Sequence, residues 1–206
     1  MEGERVTSLA QVIRKLALGV TLSLSCIACT SGGGSGTGHE SSADQFTHLS
    51  QLKSIDSREE RLIADDEFPP EPKAPKVIGE LRKGSYRLIA YIQGDSCGFL
   101  VADAKSSERS LIHITSAWPR KDSEGSENYP AGPYSIASGA GASGSRAWVS
   151  LACSKSAMVI DYSSRDRGST SDQRGNVSIK EHRNDPGNLT VIIGSREARE
   201  RILPKV

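Results

Sequence analysis

The sequence predicts a mainly β protein, with an antiparallel β-sandwich or barrel-like domain from about residue 77 onward. After Lys76, short runs of β-branched and aromatic residues alternate with polar residues. Clusters of Gly, Ser, Asn and Asp separate these runs, and no long helical period lies between them. Short alternating runs bounded by such clusters are typical of antiparallel strands in sandwiches and barrels.

The predicted strands follow one another at short intervals. They are the runs 86–93, 97–101, 111–115, 134–138, 147–153, 157–162, 177–179 and 189–193. Gly94-Asp95 predicts a tight turn after the first run, because both residue types favour turn conformations. Residues 121–128 and 163–174 are highly polar, so we expect exposed loops there, and residues 196–203 predict one closing helical turn.

The N-terminus has the pattern of an export signal. Arg14 and Lys15 precede an uncharged, mostly apolar run from Leu16 to Ala28, and a Gly/Ser tract follows Cys29. This order of cationic, apolar and small residues is typical of a cleaved signal peptide. The segment resembles the precursor of a bacterial lipoprotein, which is cut before a cysteine whose thiol receives lipid. The resemblance implies that Cys29 carries an acyl chain such as palmitate and anchors the protein on the extracytoplasmic face of the cell membrane.

Other interpretations of this segment stay open. Cys26 occupies the position where a lipobox usually has Leu, and it is itself a competing lipidation site. The apolar run could also act as an uncleaved membrane anchor, or as an ordinary signal that releases the protein. Translation from Val6 instead of Met1 would give a more cationic start to the signal.

Between the signal and the strands, the composition predicts a tether and a stalk. Ser, Thr and Gly dominate to about Gly38, which favours a flexible chain. Apolar residues then recur every three positions and predict a marginal helix: Phe46, Leu49, Leu52 and Ile55. The prolines of 69–75 end any helix. We therefore expect a signal peptide at 1–28, a lipid-anchored, flexible and partly helical stalk at 29–76, and a β-sandwich domain at 77–206.

The two cysteines of the predicted domain, Cys97 and Cys153, both lie in predicted strands. Outside the cytoplasm such a pair usually forms a disulfide. Chain-entropy arguments for a loop of this length give a stabilisation of about 4 kcal/mol. Two buried free thiols are the alternative.

Charge and motifs argue against several functions. The net charge is +1 and basic residues alternate with acidic ones, so we expect no nucleic-acid partner. The four histidines lack metal-ligand spacing, and we expect no metal or other cofactor. His113 is conceivable as a general base, but an outward-facing histidine on a sheet is the simpler interpretation. We assign no catalytic residue, because no nucleophile motif or spaced carboxylate pair is present.

Residues 139–144 match the glycine fingerprint of dinucleotide-binding loops, and Asp161 follows about 20 residues later. That site needs a helix directly after the glycines, to hold the pyrophosphate at its N-terminus. Residues 146–151 alternate as a strand instead. The sequence therefore predicts a hairpin loop here and no nucleotide site.

Trp118, Tyr129 and Trp148 are the candidate ligand-facing residues, because aromatic rings stack on sugar faces. The interpretation that we favour places Trp148 in the core near the cysteines and Trp118 at a strand end, partly because the aromatic content is low. We expect a non-enzymatic, membrane-anchored module whose β-sandwich binds a protein or an envelope polymer. A carbohydrate-binding module, or a secreted enzyme whose site is assembled from loops, are the alternatives.

Overall fold

Alternating residues give ten strands within the described part of the chain. The computed structural model describes residues 46–57, 63, 73–105, 110–119, 129–141 and 147–206. The strands are β1 (Lys76–Lys83), β2 (Tyr86–Gln93), β3 (Ser96–Asp103), β4 (Ser110–Ala117), β5 (Ser135–Ala140), β6 (Trp148–Cys153), β7 (Ala157–Ser163), β8 (Thr170–Gly175), β9 (Val177–Glu181) and β10 (Asn188–Gly194). A helix, α1 (Arg196–Ile202), follows β10. The predicted mainly β class is confirmed.

The strands form two antiparallel five-stranded sheets. Sheet A has the order β4-β3-β2-β1-β8, and sheet B has the order β5-β6-β7-β10-β9. The edges β4 and β5 approach each other, because Ser116 Oγ and Ser135 Oγ are 2.8 Å apart. A Cβ at Gly139 in β5 would lie 2.7 Å from the Ile114 side chain in β4. A glycine is therefore needed where these two edges meet.

The main core lies between the inner faces of the two sheets. It is built from alternate residues of facing strands, among them Leu88, Phe99, Val101, Ile112, Val149, Leu151, Ile160, Val191 and Ile193. The alternation follows from strand geometry, because successive side chains point to opposite faces. Burial of these apolar side chains is the main favourable term in folding, at roughly 25 cal/mol per Å² of apolar surface removed from water.

A disulfide joins the two sheets inside this core. Cys97 in β3 and Cys153 in β6 are both fully buried, and their sulfur atoms are 2.03 Å apart. The bridge closes a loop with a sequence separation of 56 residues. The structure thus contains the predicted Cys97–Cys153 bridge, with one cysteine from each sheet.

Two strands, β1 and β8, lie outside the runs predicted from the sequence. Strand β8 lies mostly within residues 163–174, which we expected to be an exposed loop, and it pairs with β1 at the edge of sheet A. Its residues are Thr, Ser, Asp, Gln, Arg and Gly, and most are exposed. The loop expectation was wrong for 170–174, because backbone pairing with β1 stabilises this strand without any apolar side chain.

The described part of the expected stalk packs against the sandwich. Leu49 and Leu52 are buried in the main core, and the Leu49 amide donates to Lys155 O at 2.7 Å. Phe46 packs beside α1, while Ile55 packs on the outer face of sheet A. Only residues 49–51 form a short 3-10 helix, and the rest of 46–57 is not helical. The folded unit therefore includes residues upstream of 76.

The outer faces of the two sheets are covered differently. On sheet A, Ile55 and Ile63 pack over Ile89, Tyr91 and Leu100. On sheet B, α1 covers one end, where Ala198 and Ile202 pack on Val159 and Ile192. Among the described residues, outward side chains of β5 and β6 such as Ile136 and Trp148 remain exposed.

Residues 1–45 lie outside the described part of the structure. They include the predicted signal, both candidate lipidation cysteines and the Gly/Ser tether. The prolines at 69, 70 and 72 and the polar segment 121–128 also lie outside it. Within the described ranges, no helix has the length and apolar character needed to cross a bilayer.

Leu49→Ala should destabilise the protein by about 2–5 kcal/mol, because it leaves a cavity in a fully buried site. The exposed neighbour Gln51 provides the matched control, and Gln51→Ala should change the free energy of unfolding by less than about 0.5 kcal/mol. Urea unfolding of both variants measures the difference. Equal midpoints for the two variants would show that residues 46–57 do not pack as described.

Replacing both Cys97 and Cys153 by Ala should lower the free energy of unfolding by about 4 kcal/mol, since the unfolded chain regains the entropy of an open loop. Unfolding with and without dithiothreitol checks the cause. The reductant should destabilise the parent protein and leave the double variant unchanged. A parent protein indifferent to the reductant, with both thiols open to alkylation after unfolding, would rule the bridge out.

Candidate binding face on the outer side of sheet B

Two large apolar side chains on sheet B are exposed to solvent. Ile136 in β5 is 60% exposed, and Trp148 in β6 is 44% exposed. Both lie on the side of sheet B that faces away from the main core. In β6, Trp148 alternates with the inward-facing Val149 and Leu151, and Ile136 in β5 pairs with the outward-facing Ala152. We call the surface formed by Ile136, Trp148, Ser150 and Asp161 the open face.

Strand register explains why these residues share one surface. Ser150 in β6 pairs with Ser138 in β5 and with Asp161 in β7. Ile136 pairs with Ala152 in the next outward-facing row. Directly opposed side chains on one face lie about 4.5–5.5 Å apart at their Cβ atoms. The open face is therefore a row of polar side chains, with Trp148 on one side of it and apolar residues on the other.

A cavity of about 190 Å³ lies on the apolar side of this polar row. Its lining residues are Tyr129, Tyr134, Ile136, Ser150, Ala152, Val159 and Asp161. Aromatic and aliphatic walls with a few polar groups are the usual composition of small-molecule sites. Among the described residues, the lining has one carboxylate and no Lys or Arg, so it does not favour an anionic ligand.

Tyr129 and Tyr134 form the aromatic wall of the cavity. Their rings are perpendicular, with centroids 5.9 Å apart. The Tyr134 hydroxyl donates to Pro130 O at 2.6 Å, and burial raises the pKa of Tyr134 well above its usual range. Burial also raises the pKa of Tyr129, and the nearby Asp161 carboxylate raises it further. Both phenols are therefore protonated at neutral pH, and the single O–H donor of Tyr134 is already bonded to Pro130 O.

Asp161 is oriented by a hydrogen bond from the neighbouring strand. The Thr190 hydroxyl donates to Asp161 Oδ1 at 2.8 Å, and His182 Nε2 lies 3.1 Å from the same hydroxyl. Thr190 is buried, so its hydroxyl is shielded from a substrate on the open face. The arrangement fixes a carboxylate for binding and does not expose a nucleophile beside a base.

The structure separates the three aromatic residues singled out in the sequence. Tyr129 and Trp148 lie on the outer side of sheet B. Trp118 instead packs against the main core, with its ring perpendicular to His48 at a centroid distance of 4.6 Å. The interpretation that placed Trp148 in the core is wrong, because Trp148 and Cys153 have opposite parity in β6 and point to opposite faces.

Sequence analysis missed the other members of the open face. Ile136 was assigned only to a strand, and Asp161 was considered only as the distant acid of a nucleotide motif. The signal that could have found them is parity, since residues on the same side of the sheet as Trp148 alternate along each strand with inward-facing residues such as Cys153 and Leu151.

A second cavity, of about 470 Å³, lies on sheet A and is less suited to binding a ligand. It is lined by three acidic and three basic residues: Asp56, Glu80, Arg82, Arg87, Asp172 and Arg174. Glu80 is nearly buried and lies 2.5 Å from Arg174 Nη2 and 3.7 Å from Arg87 Nε. These charges neutralise one another within the protein.

The remaining sequence motifs do not add a reactive site. His113 Nε2 hydrogen-bonds the Tyr91 hydroxyl on the outer side of sheet A. The described residues contain no group of three or more His, Cys, Asp or Glu that could hold a metal ion. Gly139 lies in β5, which pairs antiparallel with β6, and the described residues after the glycine motif, from 147 onward, lead directly into strand β6.

Comparison with family models, with curated proteins and with solved structures finds no match. The choice of the open face as the candidate site therefore rests on its geometry and chemistry.

Asp161→Asn should lower the pKa of Tyr129, because removing a negative charge makes the phenolate easier to form. The pKa should stay above its ordinary value, since burial is the larger cause. Ultraviolet titration of phenolate absorbance measures this, and the Tyr129→Phe variant identifies the transition. Asp172→Asn on sheet A is the control and should have no effect. An unchanged Tyr129 transition in Asp161→Asn would contradict the proximity of the two side chains.

Proposed function

We propose that this protein is a non-enzymatic, membrane-anchored lipoprotein on the extracytoplasmic face, whose β-sandwich binds a partner through the open face of sheet B. The observation that carries the proposal is the exposure of Trp148 and Ile136 on one sheet surface around a small cavity. Exposed apolar residues rimmed by polar ones commonly mark binding sites. Aromatic residues are also enriched among those that dominate binding energy.

Rigidity supports a binding role for this surface. The open face lies on the central and edge strands of a sheet, and the inner side of that sheet is pinned by the Cys97–Cys153 bridge. Side chains held on strands lose little conformational freedom when a ligand binds, which lowers the entropic cost of association. A disulfide inside the core also agrees with a location outside the cytoplasm.

The N-terminal segment supports lipid anchoring and limits the distance between the folded domain and the membrane. Cys29 is the proposed lipidation site, and the folded unit includes Phe46, so residues 30–45 are available as a tether. At roughly 3.4 Å per residue, this segment spans at most about 55 Å when fully extended. The domain would therefore lie closer to the membrane than a stalk that extends over all of residues 29–76 would allow.

Phe46, the first described residue of the chain, lies on the same side of the sandwich as the open face. Phe46 packs with α1 on the outer side of sheet B, and the Arg201 guanidinium lies 5.5 Å above its ring. Tyr134 and Val159 belong both to this apolar cluster and to the cavity lining. A polymer of the cell envelope, or a protein held near the membrane, is the partner that this placement favours.

Cys29→Ala should abolish both the acyl mass and the cleavage before residue 29, whereas Cys26→Ala should leave both unchanged. Intact mass of the membrane-extracted protein reports the cleavage site, the acyl chains and the disulfide in one measurement. The parent protein should begin at Cys29 and carry acyl mass. The proposal fails if the Cys29→Ala variant has the same acyl mass and the same cleavage site as the parent.

A further inference from the structure

We propose that the open face binds a neutral oligosaccharide, with a sugar ring stacked on Trp148. This inference rests on the proposed function, because it names the ligand of the same face. It follows from the combination of an exposed aromatic ring, an oriented carboxylate and a cavity without basic residues.

Trp148 supplies the apolar contact. A sugar ring has one face of C–H groups and a rim of hydroxyls, so it needs a flat apolar surface beside polar groups. The indole of Trp148 is 44% exposed on a paired strand of the sheet and provides such a surface. An aromatic side chain gains contact area at a low entropic cost, because it has only two side-chain torsions.

Asp161 and Ser150 supply the hydrogen bonds. Ionised carboxylates accept hydrogen bonds from neutral hydroxyls, and such charge-assisted bonds are stronger than those between neutral groups. The Thr190 hydroxyl donates a hydrogen bond to Asp161 Oδ1 and fixes the carboxylate. In this proposal, Oδ2 accepts a hydrogen bond from a sugar hydroxyl. Ser150 and Ser138 sit in the same row and can each donate and accept.

Charge selects a neutral ligand over an anionic one. Asp161 is the charged residue of the cavity lining, and the described part of this lining offers no Lys or Arg to bind a phosphate, sulfate or uronate group. An anionic polysaccharide would be repelled by the carboxylate. Neutral hexoses and N-acetylated sugars avoid this repulsion.

Distance selects an oligosaccharide over a single sugar. Trp148 and Ala152, which lines the cavity, are four residues apart on β6 and on the same face. At about 3.3 Å per residue, they are separated by roughly 13 Å along the strand. The cavity of about 190 Å³ is smaller than the roughly 300–1,000 Å³ of sites for drug-sized ligands, so it suits one ring. A ligand that contacts both Trp148 and the cavity must therefore have several linked rings.

The test uses the full-length protein, extracted in a detergent without a sugar head group. The probes are malto-, cello- and N-acetylchito-oligosaccharides, measured by isothermal titration calorimetry. At least one series should bind saturably, and its monosaccharide should bind more weakly. Trp148→Ala and Asp161→Asn should each weaken binding on the order of tenfold. Trp118→Phe is the matched control and should keep the parent affinity, because Trp118 packs against the core.

Three results would overturn the inference. In the first, none of the three series binds saturably to the folded, disulfide-bonded protein. In the second, Trp148→Ala has the same affinity as the parent. In the third, the protein binds an anionic polysaccharide or a peptide in preference to these sugars. Thermal unfolding of each variant verifies that the protein is folded. The anchoring proposal has a separate readout, the acyl mass on Cys29. A protein that carries this mass but binds no oligosaccharide loses only the ligand assignment.

Discussion

The Cys97–Cys153 bridge is the constraint on which the rest of the sandwich depends. It joins β3 of sheet A to β6 of sheet B, with both sulfur atoms inside the core. Because side chains alternate along a strand, an inward Cys153 requires an inward Leu151 and an outward Trp148. One covalent contact between the sheets therefore determines which residues of β6 can meet a ligand.

The two outer faces then differ in what covers them. On sheet A, Tyr91 lies across Gly98, where a Cβ would be 1.9 Å from the ring, and Ile55 packs beside it. The apolar residues of that face are buried by the chain's own N-terminal segment. On sheet B, the described residues that cover the outer face, α1 and Phe46 among them, lie at one end. The exposed remainder combines apolar, aromatic and acidic side chains, and this asymmetry makes sheet B the candidate binding surface.

Patterns of alternation predicted most of the fold, and three failures show where such patterns stop. Strand β8 is polar on both faces and forms through backbone pairing with β1, so no side-chain pattern could reveal it. The spacing of Phe46, Leu49 and Ile55 resembles a helix stripe, yet these side chains enter three different apolar clusters. Long-range packing of that kind has no local signal. The outward orientation of Trp148 follows from its parity with Cys153, but the low aromatic content of the chain favoured a core position for this residue.

The open face exists only if Trp148 is exposed to solvent, and one fluorescence measurement can test this exposure. The chain has two tryptophans, so the Trp118→Phe variant leaves Trp148 as the single indole emitter. Acrylamide quenching of this variant reports how accessible that ring is. The account predicts a red-shifted emission and strong quenching by a single accessible population. A blue-shifted emission that resists quenching would place Trp148 in the interior, and the open face of sheet B would then not exist.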